Sequence, residues 1–224
     1  MSETYTKAYF KKDYDNLNTE NKTCILLISV GQRYHEGEKL SSTISLINQS
    51  RFANCHIVVA DTLQRHNADS NYNLALESGS DWIERNMPII NQLQMKHKII
   101  RWDECLSADG YDTYKHMVEK EYHQNSVYND AVNNTISYFL ERNKANNPNF
   151  NEEKEFDSCL TYLLEECPII MPMWARDGYD FIIYPKQQTD AMNTTYKLFV
   201  EDKYPEKAKW LALRFKDKFL KAVA

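Results

Sequence analysis

Short apolar runs and helix-favouring stretches alternate along the first half of the chain. Residues 24–28 are all apolar, residues 55–60 are apolar apart from His56, and residues 98–102 (KIIRW) form a shorter stretch. Such runs between polar flanks are typical of strands that are buried on both faces of a parallel sheet. Apolar side chains follow a helical spacing in residues 40–52, and residues 71–95 favour a helix as well. This order predicts right-handed crossovers and an α/β fold with a mostly parallel, doubly wound sheet.

The second half of the chain is predicted to be mostly helical. One or two helices are expected over residues 112–144, and the Asn-rich segment 145–151 is predicted to be a loop. Asn151 is expected to cap the next helix, which Pro168 should end. The elements predicted after that helix are a buried strand at 179–184 and helices at about 187–201 and 205–221.

The chain is predicted to form one domain. Residues 1–21 are polar with scattered tyrosines and are expected to lie over the domain as an N-terminal arm. Residues 22–224 are expected to form a single Rossmann-like domain, since 224 residues suit one hydrophobic core. Hydrophobic residues make up 42% and charged residues 26% of the chain, which is a globular composition.

Charge, cysteine content and motif absences narrow the function. A net charge of −5 argues against non-specific coating of nucleic acid, although a local basic patch is compatible with it. The five cysteines include no C-x-x-C pair and mostly lie in or beside apolar runs, which indicates reduced core residues of a cytoplasmic protein. No signal peptide or apolar run of about 18 residues occurs, so no membrane is expected. Neither a glycine-rich nucleotide loop nor HEXXH occurs, so no cofactor and no metal are expected.

Ser29 is the first candidate for chemistry because it follows the first predicted strand. Ligands of open parallel sheets bind beyond the carboxyl ends of the strands. The alternative is that Ser29 only ends the strand or caps the next helix, as many serines do. The residues that follow, 31–39, are predicted to be a loop.

Three further residues are candidates for the same site. Tyr162 and Glu166 are four residues apart and share one face of a predicted helix. The segment around them is otherwise apolar, so the carboxylate is expected to be buried and to need a partner. Tyr184 ends a predicted strand before Pro185, which puts its hydroxyl at the same sheet edge as Ser29.

These motifs together resemble the cyclodipeptide synthases. The resemblance is carried by ISVGQ after the first strand, Y-x-x-x-E followed by C-P-I, and Tyr-Pro at the end of a late strand. It covers about residues 22–200 and implies that Ser29 is the nucleophile. The family has two branches, and one of them has asparagine three residues after the serine. This chain has Gln32 at that position and does not match that branch. Gln32 and the Tyr184-Pro185 pair fit the other branch.

The resemblance also implies a fold and a reaction. The fold would be that of the catalytic domain of class I tyrosyl- and tryptophanyl-tRNA synthetases, and the HIGH and KMSKS motifs are absent. Two aminoacyl-tRNAs would be the substrates of a monomeric enzyme. Ser29 would take the first aminoacyl group, Glu166 would bind its ammonium group, and Tyr162 would place the amine and relay protons. Tyr184 would hold Ser29 or the acyl group in place, and backbone amides near Gly31 would stabilise the oxyanion.

Two substrate pockets are implied by the same likeness. Leu27 stands where the best-known branch has a glycine, so the first amino acid is expected to be small, such as Ala or Gly. Asn143 and Lys144 match polar positions of the second pocket, and Lys144 would favour a polar or acidic second residue unless it is simply solvated. The positions that match the wall of the first pocket are Ile25, Leu27, Val58, Ile169 and Ile182.

The segment that should bind tRNA has fewer basic residues than the family pattern. Residues 80–98 should form a strongly basic helix, yet its basic residues are only Arg85, Lys96 and Lys98, besides His97. The predicted last helix is more basic and is expected either to share the phosphate contacts or to be an ordinary amphipathic helix. Its basic residues are Lys207, Lys209, Arg214, Lys216, Lys218 and Lys221.

Two other functions stay open at this point. One is a non-catalytic Rossmann-like protein that binds tRNA or a nucleotide, which should tolerate the loss of the Ser29 hydroxyl. The other is a serine hydrolase, which is disfavoured because no G-x-S-x-G sequence occurs and no histidine has an evident partner.

Overall fold

A six-stranded sheet with helices on both faces forms the protein. The computed structural model describes residues 4–11, 17–67, 71–144 and 150–219. The strand order is β1-β6-β5-β2-β3-β4, and all neighbours are parallel except β1, which runs antiparallel to β6. The strands are β1 Thr4–Phe10, β2 Thr23–Ser29, β3 Asn54–Ala60, β4 Lys96–Arg101, β5 Phe181–Tyr184 and β6 Lys209–Phe219.

The helices fall on the two faces of this sheet. Apolar side chains of α1 and α2 pack on one face, and those of α3, α4 and α8 pack on the other. The helices are α1 Gly37–Gln49, α2 Tyr72–Ile90, α3 Trp102–Leu106, α4 Tyr111–Gln124, α5 Ser126–Lys144, α6 Glu152–Pro168, α7 Trp174–Arg176 and α8 Asp190–Phe199. Short 3-10 helices at Arg33–His35 and Thr62–His66 follow β2 and β3. No helix in the described ranges is long and apolar enough to cross a membrane.

Burial on both faces of the sheet explains why the sequences of the central strands are continuously apolar. In β2, Ile25 and Leu27 point to one face of the sheet, and Leu26 and Ile28 point to the other. All four are buried, because helices cover both faces. Complete burial of one such side chain contributes about 1.5–3 kcal/mol, so the middle of the sheet is where the hydrophobic driving force is concentrated. The predicted parallel, doubly wound α/β fold is confirmed.

The predicted helix at 205–221 is wrong, because Lys209–Phe219 is strand β6. Leu211, Leu213 and Phe215 recur at every second position and pack on the α1 side of the sheet. Arg214 and Lys216, which alternate with them, are exposed. This period of two is the spacing of a strand with one buried face. The lysines and leucines of this segment favour a helix locally. Pairing with β5 makes the strand the more stable conformation.

The N-terminal segment also differs from the expected arm. Thr4–Phe10 is strand β1, which pairs with β6 over its whole length. Ala8 is buried between the sheet and α1, and its N–H donates to the Ser42 hydroxyl. The strand covers an edge of the sheet that would otherwise expose unpaired backbone groups. Part of the segment 1–21 therefore belongs to the sheet.

Two predicted helices have neighbours that the sequence did not predict. Helix α6 ends at Pro168 as expected, but a π-helical turn, Ile169–Met173, and then α7 follow it directly. This turn is fully buried and contains Pro172, whereas Pro168 is the last residue of α6. The segment 80–98 is not one helix, since α2 ends at Ile90 and β4 begins at Lys96.

Candidate active site

A cavity of about 500 Å³ opens at the carboxyl ends of β2 and β5. These two strands lie side by side where the strand order reverses, because β3 and β4 follow on one side and β6 lies on the other. Such a reversal leaves a crevice in which open α/β sheets bind their ligands. Ser29 ends β2 and Tyr184 ends β5, and both side chains line the cavity.

Three hydroxyl groups form a chain at the bottom of this cavity. Ser29 Oγ lies 3.0 Å from Tyr184 Oη, and Tyr184 Oη lies 2.9 Å from Tyr34 Oη. Burial raises the pKa of both tyrosines, so both phenols are neutral at physiological pH. The predicted position of Tyr184 beside Ser29 is therefore realised, with Tyr34 as an additional member.

His35 holds the backbone of the serine rather than its hydroxyl. Its Nδ1 accepts a hydrogen bond of 2.9 Å from the Ser29 N–H. Burial lowers the pKa of this imidazole to about 3, so it is neutral and carries its proton on Nε2. Because Nδ1 faces the main chain, His35 is not placed to accept the proton of the Ser29 hydroxyl.

Helix α6 presents a polar stripe along one wall of the cavity. Glu155, Cys159, Tyr162 and Glu166 line the cavity at intervals of four, three and four residues, which is the repeat of one helix face. With 1.5 Å of rise per residue, the two glutamates lie roughly 16 Å apart along the axis. The cavity is therefore long enough to hold groups at two separate positions.

Glu166 is a buried carboxyl group to which no described side chain donates a hydrogen bond. The residue is 7% exposed. Burial raises its pKa to about 8, so the group is mostly protonated at neutral pH until a cation approaches. Burial, followed by the charge of Glu166, also raises the pKa of Tyr162 well above its ordinary value, and that phenol stays neutral.

The preceding residue, Glu165, has the opposite environment. It accepts hydrogen bonds of 2.9 Å from His66 Nε2 and from Trp102 Nε1, and it forms an ion pair with Arg65. Burial alone would raise its pKa, but these donors and the Arg65 charge hold the pKa below its ordinary value. Glu165 thereby fixes the 3-10 helix Thr62–His66, which brings Gln64 to the cavity wall.

Not every predicted site residue reaches the cavity. The seven that line it are Leu27, Ser29, Gln32, Asn143, Tyr162, Glu166 and Tyr184. Four others, Ile25, Val58, Ile169 and Ile182, are 0% exposed and belong to the same apolar cluster as Leu27. Gly31 lies in an exposed turn with φ of +82°, which a glycine adopts without strain. Lys144 is exposed, lies outside the lining, and has its Nζ 3.5 Å from Glu152 Oε2.

Several lining residues were not anticipated from the sequence. Tyr34 follows the end of a predicted strand, and Lys186 follows the Tyr-Pro pair that ends another. Their positions after strands could have indicated that they lie at the cavity. Arg142 directly precedes the predicted Asn143. Gln64 and Trp210 carried no signal, because a 3-10 helix and a misassigned strand bring them to the cavity.

The environment of Glu166 predicts how stability depends on pH. The folded protein keeps this proton up to about pH 8, whereas the unfolded chain loses it near 4.5, so the free energy of unfolding falls as pH rises between these values. Glu166→Gln cannot ionise. Its stability relative to the wild type should therefore increase by roughly 1.4 kcal/mol per pH unit between about pH 5 and 8, measured by denaturant unfolding.

The neighbouring glutamate provides the matched control. Glu165→Gln removes a carboxylate that its partners stabilise, so this variant should lose stability relative to the wild type as pH rises toward the ordinary carboxyl pKa, and the difference should stay constant at higher pH. A pH-independent difference for Glu166→Gln would mean that the Glu166 carboxyl ionises normally.

The chain was compared with known proteins. No family model matches it, and no curated protein matches its sequence. A cyclodipeptide synthase from Fluoribacter dumoffii has a solved structure that is 33% identical with a TM-score of 0.90, over 96% of this chain and 100% of that one. The cyclodipeptide synthase from Candidatus Glomeribacter gigasporarum, solved with Phe-tRNAPhe bound, is 20% identical with a TM-score of 0.71 and covers 95% of both chains.

A tyrosyl-tRNA synthetase extends the likeness of fold. The enzyme from Archaeoglobus fulgidus matches 86% of this chain and 55% of its own, with 13% identity and a TM-score of 0.54. This similarity concerns the fold alone and agrees with the Rossmann-like sheet expected from the sequence. The identity and full-length coverage of the Fluoribacter protein show more than the fold. The chain belongs to the cyclodipeptide synthase family.

Proposed function

We propose that this protein joins the aminoacyl groups of two aminoacyl-tRNAs into a cyclic dipeptide through an aminoacyl ester of Ser29. The observation that carries the proposal is the Ser29 hydroxyl, hydrogen-bonded to Tyr184 in a cavity that Tyr162 and Glu166 also line. A relative of the same fold has been solved with Phe-tRNAPhe. Because aminoacyl-tRNAs are a cytoplasmic pool, we expect a cytoplasmic enzyme, and we expect it to act as a monomer.

The first step is a transesterification. Ser29 Oγ attacks the carbonyl carbon of the first aminoacyl-tRNA, the bond from that carbon to the terminal ribose oxygen breaks, and the serine proton ends on the ribose oxygen. Tyr184 holds Oγ in line for the attack. The Glu166 carboxyl gives up its proton on pairing with the substrate ammonium group, because a nearby positive charge favours its ionised form.

The second step releases the serine. The amine of the second aminoacyl-tRNA attacks the seryl ester, which forms a peptide bond and returns a proton to Oγ. The free amine of the resulting dipeptide then attacks the ester to the second tRNA, and the ring closes as that tRNA leaves. Tyr162, a neutral phenol on the same wall as Glu166, is suited to hand protons between the amine and the ester oxygen.

The experiment that tests this function follows the covalent intermediate. Purified protein incubated with charged tRNAs should gain the mass of one aminoacyl group, and bacteria that express it should release a new diketopiperazine. Ser29→Ala should lose both signals completely. Ser45→Ala changes an exposed serine on α1 and should keep both.

The alternative function predicts the opposite results in this experiment. A protein that only binds tRNA would carry no aminoacyl adduct with any charged tRNA, and Ser29→Ala would leave its tRNA affinity unchanged. That pair of results would replace the synthase with a binding protein. An adduct that persists in Ser29→Ala would contradict the proposed nucleophile.

We propose that Leu27 limits the first amino acid to a small residue. Leu27 lines the cavity but is only 2% exposed, and the apolar cluster beneath it is closed to solvent. Asn143 lines the cavity, and a polar or acidic second residue stays our expectation without support from Lys144. Membership of the branch without asparagine rests on Gln32 and Pro185.

Shortening Leu27 should widen the choice of the first residue. Leu27→Ala should form Ser29 adducts with Leu- or Phe-tRNA that the wild type does not form, at a cost of about 2–5 kcal/mol in the free energy of unfolding. Leu211→Ala shortens a buried leucine on the other face of the sheet and should cost similar stability without altering the choice. Wild-type protein that already accepts Phe, Tyr or Leu would contradict the proposal.

We propose the outer part of the β1–β6 pair as the tRNA-docking surface. Strand β6 continues beyond Tyr184, which pairs with Ala212, and Arg214 and Lys216 follow on the face that carries the cavity. On β1, Lys7 lies opposite Lys216. Like charges directly opposite each other are unfavourable without an anion, and a phosphate backbone supplies one. Helix α2, in contrast, contains Arg85 as its single basic residue.

Neutralising this surface should weaken tRNA binding in a salt-dependent way. For Arg214→Gln with Lys216→Gln, the slope of log affinity against log salt concentration should become shallower by about 1 per removed contact, measured in filter-binding titrations. Lys120→Gln on α4 removes an exposed charge elsewhere and should leave the slope unchanged. An unchanged slope in the double variant would exclude this surface.

A further inference from the structure

Two cations at the cavity have no role in the reaction as described above. Arg142 lies in the last turn of α5, and Lys186 lies two residues after β5. Both line the cavity that contains Ser29, although they come from different elements. In this family reaction the substrate brings a polyanion to the cavity, so cations at its wall have a natural ligand.

Lys186 is held close to the nucleophile. Its Nζ lies 5.5 Å from the centroid of the Tyr34 ring, in a cation–π contact. The hydroxyl of that ring is two hydrogen bonds, and thus about 6 Å or less, from Ser29 Oγ. The main chain is fixed as well, because the Lys186 carbonyl accepts a hydrogen bond of 2.7 Å from Trp210 Nε1. The ammonium group therefore has a defined place beside the hydroxyl chain.

The charge around Lys186 favours an anion. Among the described residues, no carboxylate forms an ion pair with its ammonium group, even though Glu155 and Glu166 line the same cavity. Partial burial lowers the pKa of Lys186, and the positive charge of Arg142 lowers it further. Arg142 is thus near enough to repel Lys186, and an anion placed between them would relieve this repulsion.

We propose that Lys186 and Arg142 form a subsite for the 5′-phosphate of the terminal nucleotide of the aminoacyl-tRNA. The inference rests on the proposed function, which places the acylated ribose hydroxyl at Ser29. The 5′-phosphate is attached to that same ribose, so it must lie within one sugar of the nucleophile. A guanidinium binds phosphate oxygens through paired N–H groups and an ammonium adds a point charge, which is a combination that recognises phosphate.

Nucleotide binding tests the subsite without any chemistry. AMP should bind the wild-type protein about tenfold more tightly than adenosine, measured by isothermal titration calorimetry. Lys186→Gln and Arg142→Gln should each reduce this advantage and leave the affinity for adenosine unchanged, whereas Lys186→Arg should retain it. Lys197→Gln, an exposed charge on α8, is the control and should behave as the wild type. AMP that binds no better than adenosine would overturn the proposal.

A pair of minimal substrates tests the subsite in the reaction. 2′(3′)-O-Alanyl-adenosine and its 5′-phosphate differ only in the group under test. The phosphate should raise the kcat/KM for acylation of Ser29 about tenfold in the wild type and have little effect in Lys186→Gln. An equal loss of rate with both substrates in Lys186→Gln would overturn the proposal, because the lysine would then act on the reaction or the fold in general.

These two experiments separate the subsite from the proposed function. If neither ester acylates Ser29 while AMP keeps its advantage over adenosine, the synthase activity fails and the phosphate site stands. If both esters acylate Ser29 at equal rates, the activity stands and the phosphate site fails. A change in the choice of the second amino acid in Lys186→Gln, with the phosphate effect intact, would assign the lysine to an acidic side chain instead.

Discussion

Parallel pairing of β2 with β5 is the constraint on which the active site depends. Because the two strands are neighbours and run in the same direction, their carboxyl ends meet, and the residues that end them come into hydrogen-bonding distance. Strand order reverses between them, so no crossover helix closes the space above. Burial of both faces of β2 keeps the register fixed, since a slip by one residue would turn Leu27 and Ser29 to the wrong face. The hydroxyl chain is thus a consequence of sheet topology.

Helix α6 shows how one turn of helix can produce two opposite carboxyl groups. Glu165 points to donors on the 3-10 helix and on α3, and it is ionised in a structural role. Glu166 points to the cavity, where burial, with no donor among the side chains that the structure describes, raises its pKa and keeps its proton in place. A carboxyl group in this state is destabilising for the free protein and becomes favourable when a cation enters. Consecutive positions on a helix differ by 100°, which is why a single residue step changes the environment so completely.

Charge distribution carries more information than net charge in this protein. The chain is acidic overall, yet Arg142 and Lys186 line the cavity, and basic residues lie along the outer part of β1 and β6. An acidic remainder limits non-specific binding, while local cations beside the cavity can orient a polyanion toward it. This arrangement became visible only when the basic C-terminal segment proved to be a strand, because a strand places its charges on one face at a spacing of two residues.

The sequence by itself determined the parallel core and the place of Ser29 at the edge of the sheet. Unbroken apolar runs can be satisfied only by strands buried on both faces, and a serine that follows such a strand must lie at the sheet edge. The spacing of Tyr162 and Glu166 fixed their shared helix face in the same way. Tertiary structure decided the rest, because β6 owes its conformation to β5 and β1 rather than to local preference. It also decided the partners of Glu165, the isolation of Glu166 and the positions of Tyr34 and Lys186, since those depend on contacts between residues far apart in the chain.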